Sequence, residues 1–164
     1  PQFGESAVNR FVDFANELKN KDFAIDPVLG ETTWNIGRLQ SENPQNVLSD
    51  RLVFRIYFRT TFYSDSQVCE YMENKRCEDI EITSFGGDTP SSYLTLDGFE
   101  KGTVAFGSDA PQLKNFKEKI LYGPGSILVA HTAHEHIKMS ELETARNNYI
   151  RIFHLLANKD KTNI

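Results

Sequence analysis

The stretch "RLVFRIYFR", Arg51 to Arg59, alternates without a break: Leu52, Phe54, Ile56 and Phe58 on one face, and Arg51, Val53, Arg55, Tyr57 and Arg59 on the other. Successive side chains of an extended chain point to opposite faces, so the pattern predicts a β-strand with one core face and one half-wet face. Upstream, "LGETTWNIGRLQ" reads as a second strand, joined to the first through a polar turn at Ser41 to Asn46. Before it, Glu5 to Asn20 carries Val8, Phe11, Val12, Ala15 and Leu18 at helical spacing, with Asn9, Asp13, Asn16 and Glu17 opposite. After the strand pair, Ser64 and Gln67 fit a capping box that opens a helix running to about Lys75. "CEDIEITSF" then alternates again, with Ile80 and Ile82 opposed by Glu81 and Thr83. Helix, strand, strand, helix, strand is a two-layer α/β sandwich short of one strand. That strand is expected before residue 1, because "PQFGES" reads as a turn that something precedes.

"GGDTPSS", Gly86 to Ser92, combines two glycines, a proline and small polar residues and marks a boundary, giving expected domains of residues 1–87 and 88–164. Beyond it, "GTVAFGSDA" reads as a short strand entering a loop, Leu113 to Leu121 as a short helical connection, and "SILVAH" as a buried strand. In the last element Ser140 and Glu143 suggest a capping box, and Leu142, Ala145, Tyr149, Ile152 and Leu156 line one helical face to about Asn158. The tail "KDKTNI" is expected to fray.

The 164 residues are 39% apolar and 12% aromatic, the composition of a globular chain with a core. A formal charge of −5, with Lys and Arg scattered, argues against a nucleic-acid surface, which needs clustered cations. No run approaches the ~20 apolar residues of a bilayer span, and nothing favours a membrane surface. No signal-like segment opens the chain, so a cytoplasmic protein or the body of a processed one is expected. Cys69 and Cys77 lack the short spacing of a metal or redox pair and read as reduced thiols without a role.

Chemistry concentrates in "YGPGSILVAHTAHEHI", Tyr122 to Ile137, where three of the four histidines follow a glycine-rich turn. His131 would emerge where a strand ends, a common place for a ligand in α/β enzymes, with Glu135 four residues on. His134 and His136 read as solvated, and His154 as a packing or surface residue of the final helix.

The strings "GTVAFGSDAP" and "ILYGPGSILVAHTAHEHIKMSELETARNNYIRIF" closely resemble the C-terminal end of the acetylornithine deacetylase and succinyl-diaminopimelate desuccinylase family of zinc amidohydrolases and peptidases. "FGESAVNRFVDFANEL", "GETTWNIGRL", "NVLSDRLVFRIYFRT" and "EDIEITSFGG" look like the same family's inserted lid, so the resemblance covers essentially the whole chain. It implies a two-layer α/β sandwich lid, used for dimerisation, followed by the C-terminal part of an α/β catalytic domain. It implies that His131 is a ligand of one of two zinc ions and that Arg59 grips a substrate carboxylate, a task suited to a bidentate guanidinium. Asn46 matches a lid asparagine near the substrate, and Gly125 with Ser126 matches a turn whose backbone lies beside it. Asp109 is placed near the site without an assigned role, and Glu135 as a possible support for the ligand. Taken from the residues alone, Arg59 is as readily a solvated strand end, and Asn46 simple turn chemistry.

A two-zinc hydrolase also needs a bridging carboxylate, further ligands and a general base. The family's His-x-Asp motif, its Glu-Glu pair and its lid histidine do not occur in this sequence. The resemblance therefore implies the C-terminal part of an enzyme on N-acyl amino acids, inactive alone, whose partners are the missing N-terminal segment and a second copy joined through the lid. The alternatives are a non-catalytic dimerisation module and a dipeptidase of the same family.

Overall fold

A computed structural model describes residues 4–159 of the chain. Among these residues the fold is mixed α/β: three α-helices, one short 3-10 turn and a two-stranded antiparallel sheet. The helices are α1 (Ala7–Lys19), α2 (Asp65–Glu73) and α3 (Met139–Lys159), and the strands are β1 (Thr33–Gln40) and β2 (Val53–Arg59). No helix among the described residues is long and apolar enough to cross a membrane.

The chain forms two compact units. The first runs to Ser91 and takes in Thr103–Pro111; the second comprises Ser92–Gly102 and the chain from Gln112 onward.

In the first unit β2 alternates as its sequence requires, with Phe54, Ile56 and Phe58 half-buried and Val53, Arg55, Tyr57 and Arg59 exposed. β1 pairs with it from Thr33 opposite Arg59 to Gln40 opposite Val53. One irregularity interrupts the ladder between Gly37 and Gln40, where Arg38 takes the left-handed region at φ 49°, the mark of a β-bulge. The inner face is covered by aromatic contacts. Phe54 meets Phe11 at 4.9 Å and Phe14 at 5.5 Å between ring centroids, both from α1. Phe23, in the α1–β1 connection, lies edge-on to Phe58 at 6.4 Å and to Tyr71 of α2 at 5.9 Å. Leu18 is fully buried, whereas Val8 and Val12 are exposed, so the seam of α1 passes through Phe11, Phe14 and Leu18 rather than through the valines. Ion pairs from Glu17 to Lys75 and from Arg10 to Asp79 (3.0 Å) run along the margin. The hydrogen bond from Lys75 holds the Glu17 carboxyl below its usual range.

Several expectations are corrected. "CEDIEITSF" forms no strand, only an isolated bridge between Cys77 and Ile80, so the two-layer sandwich is not completed within the described residues. A strand needs a paired neighbour for its backbone groups, and both sides of this segment lack one. "SILVAH" is likewise not a strand but a run of turns, with Leu128 85% exposed. A buried strand of this kind is held by neighbours on both edges and layers on both faces, and the described residues supply neither. "GTVAFGSDA" is irregular, and the helical connection at Leu113 to Leu121 is replaced by the 3-10 turn Ala110–Gln112 followed by loop. Neither capping box forms. Gln67 instead accepts the N–H of Ala24 at 2.9 Å, and Ser64 is engaged elsewhere. At α3 the helix starts before Ser140, and Glu141 accepts the N–H of Lys138 at 3.0 Å.

In the second unit α3 organises its surroundings through Tyr122. Asn148 donates to the Tyr122 hydroxyl at 2.6 Å, the Tyr149 hydroxyl donates to the Tyr122 carbonyl at 3.0 Å, and the two rings meet edge-on at 5.2 Å. Arg151 stacks over Phe99 at 4.6 Å while donating to the Gly98 carbonyl at 3.2 Å. Gly98 sits at φ 80°, and a Cβ there would lie 2.3 Å from the Arg151 guanidinium. A side chain at residue 98 would therefore be strained and would displace the clamp.

The Tyr71 hydroxyl is buried and makes no hydrogen bond of good geometry among the described residues, with the Glu17 carboxylate as its polar neighbour. Burial, then the negative charge of Glu17 and a weak hydrogen bond to it, pushes its pKa up to about 12. A raised pKa favours the neutral phenol in the folded chain. Its contribution is complete below pH ~10, the value of a free tyrosine, and is lost as pH rises through about 12. Removing the hydroxyl removes a buried, poorly paired group, whose desolvation costs up to about 1–3 kcal/mol. Tyr71→Phe is therefore expected to keep or raise the denaturant midpoint at pH 7 and to weaken the loss of stability between pH ~10 and 12. A drop in the midpoint at pH 7 would show that the hydroxyl has a partner.

Candidate functional site

The loop from Gly123 to His136 is a chain of short-range turns anchored at Tyr122. Gly125 takes φ 89°, a region open to glycine at no steric cost, and the side chain of Ile137 lies 3.8 Å from where its Cβ would stand. The Ser126 hydroxyl accepts the N–H of Leu128 at 3.3 Å, and the Ser126 carbonyl accepts that of Val129 at 3.3 Å.

His131 follows at φ 60°, an uncommon value for a residue with a Cβ. A hydrogen bond from its own N–H to the Glu135 carboxylate at 3.1 Å stabilises that geometry, and the Glu135 N–H returns to Thr132 at 3.1 Å. The imidazole itself is exposed. Glu135 thus supports His131 through the backbone, not by bonding to its ring. His136 Nδ1 donates to the His134 carbonyl at 2.7 Å, which ties the His136 ring to the loop backbone. His154 is exposed, its ring 5.8 Å from that of Phe153.

In the first unit, Arg59 is the last residue of β2 and is exposed. No carboxylate among the described residues forms an ion pair with it, whereas Arg55 on the same face stacks over Phe85 at 4.8 Å. Asn46 is exposed in the β1–β2 connection, beside the turn closed by Val47 N–H and the Pro44 carbonyl at 3.1 Å. It lies in the connection at the closed end of the hairpin and Arg59 at the open end of β2, roughly 20 Å of strand away, so the two are not brought together within this unit. Asp109 is exposed immediately before the 3-10 turn.

The structure therefore gathers Gly125, Ser126, His131 and Glu135 into one loop and leaves Asn46, Arg59 and Asp109 apart in the other unit. No group of three or more His, Cys, Asp or Glu side chains that could hold a metal ion occurs among the described residues. His131 offers one exposed nitrogen donor, but the residues present do not form a complete cation site. Cys69 and Cys77 are free thiols, both exposed. The sequence reading missed the hold of Asn148 and Tyr149 on Tyr122. Tyr149 stood out only as an apolar-face residue, and nothing in its spacing signalled a hydroxyl bonded to a distant carbonyl.

No family model matches the chain, and no solved structure matches it. Curated proteins do match. A peptidase M20 domain-containing protein of Schizosaccharomyces pombe is 28% identical over 93% of this chain and 38% of its own length. A probable carboxypeptidase of Aspergillus flavus is 31% identical over 93% of the chain and 42% of its own length. One of Emericella nidulans is 44% identical over the same shares. The chain is homologous to M20 peptidase-domain proteins. It spans about two fifths of the length of these relatives. Acetylornithine deacetylase is not among the names they carry, so the resemblance holds at the level of M20 hydrolases and not of one subfamily.

Because the His131 ring is exposed, a structural role for it is weak. His131→Ala is expected to change the unfolding free energy by less than about 0.5 kcal/mol in denaturant melts, as surface changes do. His131→Gly is expected to raise it by up to about 1 kcal/mol by relieving the positive φ. A large loss with alanine would make His131 a structural residue.

Proposed function

We propose that this chain is part of a metal-dependent M20 hydrolase that cleaves an amide whose nitrogen belongs to an amino acid bearing a free carboxylate. An N-acyl amino acid and the C-terminal residue of a peptide share that chemistry. The reading thus accommodates both a deacylase of the acetylornithine deacetylase type and the probable carboxypeptidases among the relatives. The observation that supports it most is homology along 93% of the chain to proteins so named.

Within this reading each residue has a limited task. Arg59, exposed and without an acidic partner among the described residues, binds the substrate carboxylate through its planar fork of donors. The Gly125–Ser126 turn contributes backbone and hydroxyl groups beside the substrate, and Asn46 a side-chain amide. His131 provides one donor to a zinc site completed by residues outside this chain, with Glu135 fixing its backbone. The base that activates water also lies outside it. The chain by itself is expected to be inactive, and the lid to pair two copies of the full protein.

The test is an assay of the full-length protein on N-acetyl amino acids and N-blocked dipeptides. Chelation is expected to abolish hydrolysis and added zinc to restore it. His131→Ala is expected to lower kcat/KM at least ~100-fold, beyond what loss of an outer partner of a ligand typically costs. Full activity in chelator, or an unaltered His131→Ala, would sink the assignment.

A further inference from the structure

The end of β2 that carries Arg59 runs directly into a knot of buried hydroxyls. Ser64 is 0% exposed and Thr61 2%. The Thr32 hydroxyl donates to Ser64 Oγ at 2.5 Å, and the Thr61 N–H donates to the same oxygen at 2.9 Å. With both lone pairs of Ser64 Oγ occupied, its single hydrogen goes to Thr61 Oγ1, 3.1 Å away. The second lone pair of Thr61 Oγ1 is shared by the N–H groups of Tyr63 and Ser64, each at 3.3 Å. Beside the knot, Thr60 donates to the Asp65 carboxylate at 2.6 Å.

The topology of these bonds matters more than their number. Thr32 precedes β1, Thr61 follows β2, and Ser64 precedes α2, so one buried oxygen joins three elements. Arg59 is paired across the ladder with Thr33, the residue next to Thr32, and lies two residues before Thr61. Its backbone is thereby fixed from both sides, while its side chain remains exposed and free of an acidic partner among the described residues. This also explains why Ser64 does not cap α2: its oxygen is already fully used. A capping serine would stabilise one helix end, whereas this one sets the position of a strand end.

We propose that Thr32, Thr61 and Ser64 are positioning residues that set the Arg59 guanidinium for recognition of the substrate carboxylate. This rests on the reading of Arg59 given above. A bidentate guanidinium contact is sensitive to displacement, because both of its bonds must be made in one plane. Loosening the knot weakens discrimination for the carboxylate more than it weakens the reaction as a whole.

The experiment compares, in the full-length protein, kcat/KM for an N-acetyl amino acid and for its carboxamide. The wild type is expected to prefer the carboxylate, and Arg59→Ala to reduce that preference about tenfold or more. Thr32→Val, which keeps the shape and removes one hydroxyl, and Ser64→Ala are expected to lower the preference at least about threefold. The loss should appear as a raised KM for the carboxylate substrate, and Thr32→Ser should restore the preference. Thermal unfolding of each variant is measured alongside; general destabilisation lowers activity on both substrates and leaves their ratio unmoved. Should Ser64→Ala not fold, Thr32→Val carries the test. If Arg59→Ala loses the preference while Thr32→Val keeps it, the positioning role is overturned and the role of Arg59 stands. If Arg59→Ala keeps the preference, or the wild type has none, the role of Arg59 is overturned and the positioning role with it.

Discussion

The contact of Phe54 with Phe11 and Phe14 is the one on which the first unit depends. A two-stranded ribbon alone is marginally stable in water, since half of its surface must be covered before its hydrogen bonds give a net gain. β1 and β2 solve this by turning Trp34, Ile36, Phe54, Ile56 and Phe58 inward, and α1 supplies the ring surfaces that meet Phe54. Edge-on aromatic contacts add stabilisation beyond the area they bury, and they fix an angle as well as a distance. Once β2 is held, everything at its end inherits the geometry: Arg59, the hydroxyl knot and the start of α2. Phe23 extends the seam to Phe58 and Tyr71 and so ties α2 to the same core.

Polar side chains in this unit are used to join elements, not to finish single ones. Gln67 could have closed a helix cap and instead holds the Ala24 N–H in the α1–β1 connection. Ser64 could have capped α2 and instead bonds to residues flanking both strands. The helix start tolerates this because α2 is short and held by the buried Val68 and Tyr71, so tertiary packing outweighs a local cap worth about 1 kcal/mol. Asp26 does similar work before β1, where its carboxylate accepts the N–H groups of Val28 at 2.8 Å and Leu29 at 2.9 Å and shapes the turn to Gly30.

What the sequence made legible follows from the range of the signal. α1, both strands and α3 were readable because each is set by a pattern within its own residues. The seam of α1 was misread at Val8 and Val12, since a helix with apolar residues on a wide arc does not announce which edge of the arc meets its partner. "CEDIEITSF" and "SILVAH" were misread for a different reason. Alternation and apolarity show only that a segment can be a strand, and pairing decides whether it is one. Pairing requires a neighbour that no local pattern specifies. The capping box at α2 failed because Gln67 and Ser64 bond to residues dozens of positions away, and that at α3 because the helix starts earlier, with Glu141 accepting the Lys138 N–H.

The site was legible to a similar, limited degree. The clustering of His131, His134 and His136 could be seen in the sequence, yet clustering along a chain does not make a coordination shell. A shell requires side chains to converge, and among the described residues none does so in a group of three. What the structure adds is the division of labour inside the loop. His136 Nδ1 bonds to the His134 carbonyl, Glu135 spends a carboxylate oxygen on the His131 N–H, and of the three exposed histidines of the loop His131 is the one with its backbone at positive φ. A backbone held at positive φ by a specific carboxylate costs free energy that little local packing returns, because His131 to His136 are all exposed. Such a geometry makes physical sense where the ring has an external task. The clamp of Asn148 and Tyr149 on Tyr122 fixes the loop's entry in the same spirit, so that α3, the most regular element of the chain, sets where an otherwise irregular segment begins.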